Sequence, residues 1–240
     1  MITISISSYN QGQYLSEAIE SLVVQTVKPY EILIIDDGST DNSLEIAKDY
    51  EKNKDLYGIN IRVISKLNGG LSSARNTGIM NAKGDYFLPL DADDKLDENC
   101  IERMNQVIKK TGMDIVAPSM HTFGTSDEII ILMPNPTIED FKIGNRIPYC
   151  SAVKTELLKS VGGYQTKGKI GNCGYEDYHL WFNLLSRGAK VTVIQEPLFW
   201  YRTKNESMWH DAVKNHAELM GQITTDFPEV TNIISNPLPK

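Results

Sequence analysis

Three acidic residues stand within four positions directly after an apolar run. The stretch GDYFLPLDADDKLDEN covers residues 84–99, and the three acids after its apolar run are Asp91, Asp93 and Asp94. Like charges this close disfavour one another's ionised form unless a cation or hydrogen bonds compensate. In an extended segment the side chains of Asp91 and Asp93 share one face, roughly 6–7 Å apart. Such a pair can hold Mg²⁺ or Mn²⁺ together with phosphate oxygens; a solvated acidic loop that caps the next helix is the alternative.

Two further acidic pairs could carry chemistry. Asp36 and Asp37 close the apolar segment YEILIIDD and precede Gly-Ser. Acids there suit hydrogen bonds to a base or a ribose, although a turn with a helix N-cap explains them equally well. Glu176 and Asp177 open the segment GYEDYHLW, where the helix macrodipole favours acids. A functional interpretation makes Asp177 a general base that accepts the proton of an attacking hydroxyl.

Elements of alternating type must position these acids. Strands are predicted at 2–7, 30–37, 59–65, 85–91 and 114–119, and helices at 14–26, 39–53, 71–84 and 98–110, from their apolar periodicity. Alternation of this kind predicts a parallel sheet with helices on both faces. Ligands bind outside the carboxyl ends of such strands. Two strands would therefore bring acids to the same sheet edge. Pro89 suggests an edge position for its strand, or a distortion near the strand's end.

The second half of the chain is less regular. Residues 120–150 read as loops with short strands, followed by helices at 154–163 and 174–189 and by the strand segments KVTVI and PLFWYR. A last helix is predicted over 211–225, with apolar residues at helical spacing. We expect that helix to pack on the domain. A homodimer contact or a peripheral membrane contact is the alternative.

Composition excludes several classes of protein. The 240 residues carry a net charge of −7, whereas a general nucleic-acid binder needs a basic stripe. The three cysteines show neither metal-site spacing nor a disulfide framework. No apolar run approaches the ~18 residues of a membrane span, and the N-terminus lacks a basic leader region. We therefore expect a cytoplasmic protein that at most touches the inner face of the cell membrane.

Rival assignments fit the residues less well. GYQTKGKI has P-loop spacing, but it lacks the following Ser/Thr and the preceding strand. DADDK resembles the motif of haloacid dehalogenase-type phosphatases, although Lys95 stands where Thr or Val belongs. A nucleotidyltransferase would carry a basic, Gly-rich loop after its first strand, and SSYNQGQYL has no basic residue. A non-catalytic sugar-nucleotide binder remains open, although the presence of both Asp93 and Asp177 argues against it.

Five segments in order identify a family resemblance: SISSYNQGQYLSEAIESLVVQT, EILIIDDGSTDNS, NGGLSSARNTGI, GDYFLPLDADD and GYEDYHLWFNL. Together they resemble the inverting glycosyltransferases of family 2, over about residues 2–210. The resemblance implies an α/β protein of the GT-A fold, with a Rossmann-like, mostly parallel central sheet flanked by helices and a smaller mixed subregion on the acceptor side. It also implies a nucleotide-sugar donor, a divalent cation (Mn²⁺ or Mg²⁺) and a glycan or glycolipid acceptor in surface polysaccharide synthesis. From the acidic net charge we expect no nucleic-acid partner.

Matching positions assign the expected donor contacts. Ser7 and Tyr9 would line the nucleotide pocket, with Tyr9 against the base. Asp37 would hydrogen-bond a uracil-like ring, with Asp36 as a supporting acid. A UDP-sugar is the expected donor from the family's habits, and a dTDP-sugar would offer the same imide contact. The remaining expected donor contacts are Arg75 and Asn76, near the donor, and Asp91, at its ribose or sugar.

The same resemblance assigns the metal, the base and the late segment. Asp93, with Asp91 beside it, would hold the cation at the diphosphate, and Asp177 matches the family's catalytic base. YRTKNES, residues 201–207, resembles a segment that often reads Y-R-x-H-x-x-S and closes on the diphosphate. Lys204 stands where His is usual. Arg202 or Lys204 would then neutralise phosphate charge.

The resemblance also suggests a division of the chain. Residues 1–97 would form the nucleotide-sugar-binding half, and residues 98–210 the half that binds the acceptor and carries the base. Residues 211–240 would form a C-terminal helix and tail.

Overall fold

A computed structural model describes residues 1–167, 170, 174–205 and 215–228 of the chain. Within these ranges the strands are β1 Ile2–Ser8, β2 Glu31–Asp36, β3 Ile61–Ser65, β4 Tyr86–Asp91, β5 Lys95–Leu96, β6 Ile115–Gly124, β7 Ile129–Ile130, β8 Ala152–Lys154 and β9 Val191–Thr203. The helices are α1 Gly12–Val23, α2 Ser43–Lys52, α3 Lys54–Tyr57, α4 Leu71–Asn81, α5 Cys100–Thr111, α6 Ile138–Phe141, α7 Thr155–Ser160, α8 Glu176–Ser186 and α9 His216–Asp226.

One mixed sheet organises these elements. Its strand order is β3-β2-β1-β4-β8-β6-β9-β5, and β7 pairs with β6. The strands β3, β2, β1 and β4 are parallel neighbours, as the alternation of strands and helices predicts. Every residue of β1 and β2 is buried, because helices cover both faces of a parallel sheet. The α/β class predicted from the sequence is confirmed.

Apolar side chains of alternate strand residues fill two cores, one on each side of the sheet. Residues such as Ile4 and Ile34 pack with Leu15 and Ile19 of α1. Leu33 and Ile35 point the other way and belong to the cluster that contains Trp181 of α8. Burial of each large apolar side chain contributes about 1.5–3 kcal/mol. The two cores hold the carboxyl ends of the parallel strands at one fixed edge.

The second half adds strands of mixed direction to the same sheet. β8 runs antiparallel to both β4 and β6, whereas β6 and β9 are parallel. PLFWYR and all of KVTVI except its lysine lie in the single strand β9 rather than in two strands. Its register against β6 shifts on both sides of Ser119, which pairs with Pro197. This irregularity accommodates a proline that cannot donate a ladder hydrogen bond.

Pro89 lies in an interior strand and not in an edge strand. β4 is flanked by β1 and β8, but its pairing with β8 covers only Tyr86 and Phe87. Pro89 pairs with Ser5 of β1 alone. The proline is tolerated because β4 has one neighbour at that height.

The sheet runs through both predicted halves of the chain, so the boundary near residue 97 stays a prediction. The described part of the C-terminal helix, α9, buries Leu219 and Ile223 in the cluster that contains Trp181. His179 Nε2 lies 3.0 Å from a carboxylate oxygen of Asp226 at the end of α9. Residues 211–214, where this helix was predicted to begin, lie outside the described ranges. Within those ranges, no helix has the length and apolar character needed to cross a bilayer.

Candidate active site

The carboxyl ends of β1, β2 and β4 meet at one edge of the sheet. Ser7 pairs with Asp91, and Ser8 pairs with Asp36. The structure thus brings together acids that are far apart in the sequence, as predicted. Among the described residues, the buried hydroxyls of Ser7 and Ser8 have no hydrogen-bond partner. Buried polar groups are normally paired, so the hydroxyl of Ser7, beside Asp91 at this edge, is available to hydrogen-bond a ligand.

The Asp36 side chain is fixed by residues of its own edge. One oxygen accepts from the backbone N–H of Ser39 at 3.3 Å, and the other accepts from the hydroxyl of Ser65 at 3.0 Å. Asp36 is buried. These contacts suit the supporting role predicted for it.

Asp37 anchors the loop that leads into α4. Its buried carboxylate accepts from the backbone N–H groups of Gly69 and Gly70, at 3.1 and 2.8 Å, and from the Lys66 ammonium at 2.5 Å. Gly70 has a φ of 84°, a conformation that favours glycine. A contact between Asp37 and a base would therefore have to share oxygens that already accept hydrogen bonds. The sequence prediction did not anticipate Lys66.

Arg75 connects the end of β4 with the beginning of α8. Its buried guanidinium donates from Nη2 to both oxygens of Asp91, at 3.0 Å each, and from Nη1 to Glu176 at 2.7 Å. The rings of Tyr149 and Tyr164 flank it, with centroids 4.5 and 5.3 Å away. Arg75 Nε has no partner among the described residues. The guanidinium thus places the helix that carries the predicted base beside the strand that carries the predicted metal ligand.

Asp91, the last residue of β4, and the following acids Asp93 and Asp94 lie in three different environments. Burial and the charge of Asp93 raise the pKa of Asp91 to about 6, although Arg75 opposes the shift. Asp94 is buried and accepts from the Tyr149 hydroxyl at 2.6 Å and from the Arg202 N–H at 2.7 Å. Burial raises the pKa of Asp94 well above its ordinary value. Asp93 is partly exposed and faces the Lys204 ammonium at 2.7 Å. Because both oxygens of Asp91 bind Arg75 and Asp94 is buried, Asp93 is the acid of the three that is best placed to meet a ligand.

The hydrogen bonds and the pKa of Asp177 suit a general base. Its Oδ2 accepts from the Asn145 amide at 3.0 Å, and its Oδ1 accepts from the Tyr178 N–H at 2.7 Å. Burial and the neighbouring charge of Glu176 raise the pKa of Asp177 to about 7. A base with a pKa near the working pH combines ready deprotonation with strong proton affinity.

The late segment places two positively charged side chains at the same edge of the sheet. Arg202 donates from Nε to the main-chain oxygen of Asp93 at 2.7 Å and also contacts the Glu17 carboxylate. The Lys204 ammonium lies 4.3 Å from the ring centroid of Tyr14. The positive charge predicted for this segment therefore reaches Asp93, the predicted metal ligand. Residues 206–207, the end of the late segment, lie outside the described ranges.

Two predicted donor contacts differ in how freely they face the site. Tyr9 is 48% exposed, so its ring is available to a ligand. Asn76 instead makes two hydrogen bonds to the backbone of Tyr164, at 2.8 and 2.7 Å. Its amide holds the Tyr164 segment, and any contact with a donor would be additional.

A divalent cation fits this edge only together with ligand oxygens. Within the described ranges, no group of three or more His, Cys, Asp or Glu side chains is arranged to hold a metal ion. The Asp91 and Asp93 side chains are about equally exposed, at 22% and 24%, but Asp91 uses both oxygens for Arg75, whereas Oδ2 of Asp93 faces Lys204. Mg²⁺ and Mn²⁺ are commonly held by one or two carboxylates plus phosphate oxygens. The residues present fit that arrangement.

Several site residues carry no clear signal in the sequence. Tyr149 and Asn145 belong to an irregular stretch without periodicity, and both contact predicted site acids. Glu176 looked like a helix-start acid, but its contact with Arg75 spans 101 residues. Asp94 is part of the acidic cluster in the sequence. Its burial depends on contacts with Tyr149 and with Arg202 of β9.

Comparison with protein-family models and with curated proteins identifies the family of the chain. The model of Glycosyl transferase family 2 matches residues 3–171, which is more than half of the chain. Glycosyltransferase GlyG of Streptococcus pneumoniae is 28% identical over 87% of the chain and 72% of its own length. Chondroitin synthase of Pasteurella multocida is 42% identical over 42% of the chain. The chain spans 33% of Bacillus subtilis EpsJ and 10% of the chondroitin synthase.

Solved structures share the architecture. TarS of S. aureus, residues 1–349 in complex with UDP-GlcNAc, superposes with a TM-score of 0.76 and 20% identity, over 94% of this chain and 66% of that one. Mannosyltransferase PcManGT from Pyrobaculum calidifontis, bound to GDP-Man and Mn²⁺, gives a TM-score of 0.70 and 14% identity, over 97% and 69%. These likenesses confirm the GT-A fold. The chain belongs to glycosyltransferase family 2 and is a glycosyltransferase.

Proposed function

We propose that the protein is an inverting, metal-dependent glycosyltransferase that moves a sugar from a UDP-sugar to a hydroxyl acceptor. The observation that carries this proposal is the guanidinium of Arg75, which contacts both Asp91 and Glu176. It keeps Asp177, the next residue of α8, beside the strand-end acids. A base and an anchoring site for the leaving group can then act on one substrate.

The donor is proposed to lie across the carboxyl ends of β1, β2 and β4. Tyr9 would stack on the base, while Asp37, supported by Asp36, would accept from its imide. Ser7 has a buried hydroxyl without a partner among the described residues, and this hydroxyl suits a nucleotide contact. The GT-A neighbour TarS binds UDP-GlcNAc, which supports a UDP-sugar for this chain. Asn76 and Asp91 would line the part of the pocket that holds the sugar of the donor.

The cation is proposed to bind Asp93 at the donor's diphosphate. When bound, a divalent cation stabilises the charge that develops on the leaving phosphate. Arg202 and Lys204 add positive charge on the same side, because both contact Asp93. The PcManGT complex contains Mn²⁺, which supports a cation for this family member.

Asp177 is proposed to take the proton of the acceptor hydroxyl. Attack from the face opposite the departing diphosphate inverts the anomeric centre, and glycosyl transfer passes through an oxocarbenium-like state. The hydrogen bonds from Asn145 and Tyr178 orient the carboxylate. We propose a growing surface polysaccharide or a glycolipid as the acceptor, in keeping with relatives such as chondroitin synthase.

A thermal-shift panel tests the donor and the cation. We expect UDP with Mn²⁺ to raise Tm, because a ligand at about 100 times its Kd adds about 2.7 kcal/mol to stability. That gain corresponds to roughly 5–10 °C for a chain of this size. Asp93→Asn should lose most of the Mn²⁺-dependent part. If no nucleoside diphosphate or nucleotide-sugar moves Tm with either cation, the donor site is wrong. Product formation from a labelled donor then separates an enzyme from a non-catalytic binder.

The pKa of Asp177 predicts the pH dependence of transfer. The base must be deprotonated, so kcat/KM should rise about tenfold per pH unit below about 7 and level off above it. Asn145→Ala removes a hydrogen bond that favours the charged form, so it should move this limb to higher pH. The exposed Asn81 provides a matched control, since Asn81→Ala should leave the limb in place. A flat profile between pH 5.5 and 8, or a limb that Asn145→Ala does not move, would contradict the assignment.

A further inference from the structure

We propose that Lys204 excludes a divalent cation from Asp93 until a nucleoside diphosphate binds, so that cation and nucleotide bind cooperatively. The inference rests on the proposed function for the identity of the nucleotide. It starts from one contact: the Lys204 ammonium lies 2.7 Å from Oδ2 of Asp93.

The Lys204 ammonium lies close to the position that a divalent cation bound to Asp93 would take. Carboxylate oxygens bind Mg²⁺ at about 2.1 Å, so a cation on Asp93 would lie within a few ångströms of Nζ of Lys204. Like charges so close repel, and partial burial weakens solvent screening. The side chains of Lys204 and Asp93 are only 28% and 24% exposed. In the free enzyme, the Lys204 ammonium therefore already pairs with the Asp93 carboxylate, which is the group that the divalent cation would bind.

Of the two positively charged side chains near Asp93, Arg202 has more contacts than Lys204. The Arg202 guanidinium bonds the main-chain oxygen of Asp93, contacts Glu17, and lies 4.6 and 4.2 Å from the ring centroids of Tyr14 and Phe123. The Lys204 ammonium rests on Asp93 and over the Tyr14 ring, 4.3 Å from its centroid. A lysine ammonium sits on a flexible four-carbon stem with rotatable donors. It can leave the carboxylate without disturbing β9.

A bound diphosphate brings negative charge that attracts both the Lys204 ammonium and the divalent cation. Its oxygens accept from an ammonium and also complete the coordination of a cation. When it binds, Lys204 can turn from Asp93 to a phosphate, and Asp93 becomes available to Mn²⁺ or Mg²⁺. Coupling between two ligands is reciprocal, so the cation should strengthen nucleotide binding by the factor by which the nucleotide strengthens cation binding.

Binding of Mn²⁺ followed by the EPR signal of the free ion tests this coupling, without and with saturating UDP. For the wild-type protein we expect UDP to tighten Mn²⁺ binding at least tenfold. Lys204→Gln should tighten Mn²⁺ binding to the nucleotide-free protein at least tenfold, so that UDP tightens it further by a smaller factor than in the wild type. Lys204→Arg keeps the positive charge, so Mn²⁺ binding to the nucleotide-free protein should stay as weak as in the wild type. Asp93→Asn should abolish site binding in both states.

Lys154 offers a matched control at the other end of the sheet. It pairs with Asp114 at 2.8 Å, and its strand register places it opposite Tyr86, the first residue of β4. Lys154→Gln should bind Mn²⁺ as the wild type does. If Lys204→Gln and wild type bind Mn²⁺ equally without nucleotide, within threefold, the inference is wrong. The nucleotide-free comparison does not involve a donor, so failure of the UDP-sugar assignment would appear only in the UDP arm.

Discussion

Replacement of Asp177 by Asn should lower the rate of sugar transfer by about 10²–10⁴-fold, or about 3–5 kcal/mol, and should leave the fold intact. The amide matches the carboxylate in size and can still accept the hydrogen bond from Asn145 or from the Tyr178 N–H. It cannot take a proton from the acceptor. The substitution also removes a charge from a buried position, so no loss of stability is expected. Single-turnover transfer from a labelled nucleotide-sugar measures the effect.

Two comparisons separate a lost base from a damaged site. Donor affinity, from thermal shift or calorimetry, should change less than threefold in Asp177→Asn, since the base acts on the acceptor. Asp114→Asn is the matched control, because Asp114 is a partly buried aspartate at the far end of the sheet, paired with Lys154. It should retain transfer. Turnover of Asp177→Asn within fivefold of wild type would rule out the base assignment.

Replacement of Arg75 by Met should destabilise the protein by about 3–5 kcal/mol. The guanidinium is buried and is the shared counter-charge of Asp91 and Glu176. Its removal leaves two carboxylates in a site where burial already raises the pKa of Asp91 to about 6. At this chain length, the predicted loss lowers Tm by roughly 10 °C. Denaturant unfolding and transfer assays should both show the effect, since the site loses its connection between β4 and α8.

The pH dependence of this loss identifies its cause. Unpaired buried carboxylates bind protons more tightly in the folded state than in the unfolded state, so their cost grows as pH rises. The penalty of Arg75→Met should therefore be larger at pH 7.5 than at pH 5. Arg103→Met is the control, because Arg103 and Glu196 form a surface pair with side chains 40% and 47% exposed. It should cost less than about 1 kcal/mol. Equal penalties for both variants would mean that Arg75 is not the electrostatic centre of the site.

The sequence was sufficient to predict the parallel half of the fold and the edge that carries the acids. Apolar runs that end in Asp36 and Asp91, separated by helical periodicity, leave few alternatives to a parallel sheet. The register then follows, with Ser7 beside Asp91. The ordered segments also predicted the family, which the match over residues 3–171 confirms.

The partners of each acid could not be predicted in this way, because they come from distant parts of the chain. Asp91, Asp93 and Asp94 are near neighbours in sequence, yet Arg75, Lys204 and Tyr149 give them different environments. The contact of Asp94 with the Arg202 N–H spans 108 residues. Periodicity reports which face of an element is apolar, but it does not report which loop side chain reaches that face. The single strand β9 was missed for a related reason, since the β-bulge beside Pro197 interrupts the alternation.

A crystal structure with UDP and Mn²⁺, with the cation located by anomalous scattering, tests the central claim most directly. That claim is that the acids at the end of β4 and the base on α8 serve one substrate. We predict Mn²⁺ on Asp93, the diphosphate beside Lys204, and Asp177 facing the open space beyond the terminal phosphate, where the sugar of the donor would lie. Mn²⁺ and UDP bound at another edge of the sheet, or separated from Asp177 by intervening protein, would contradict it.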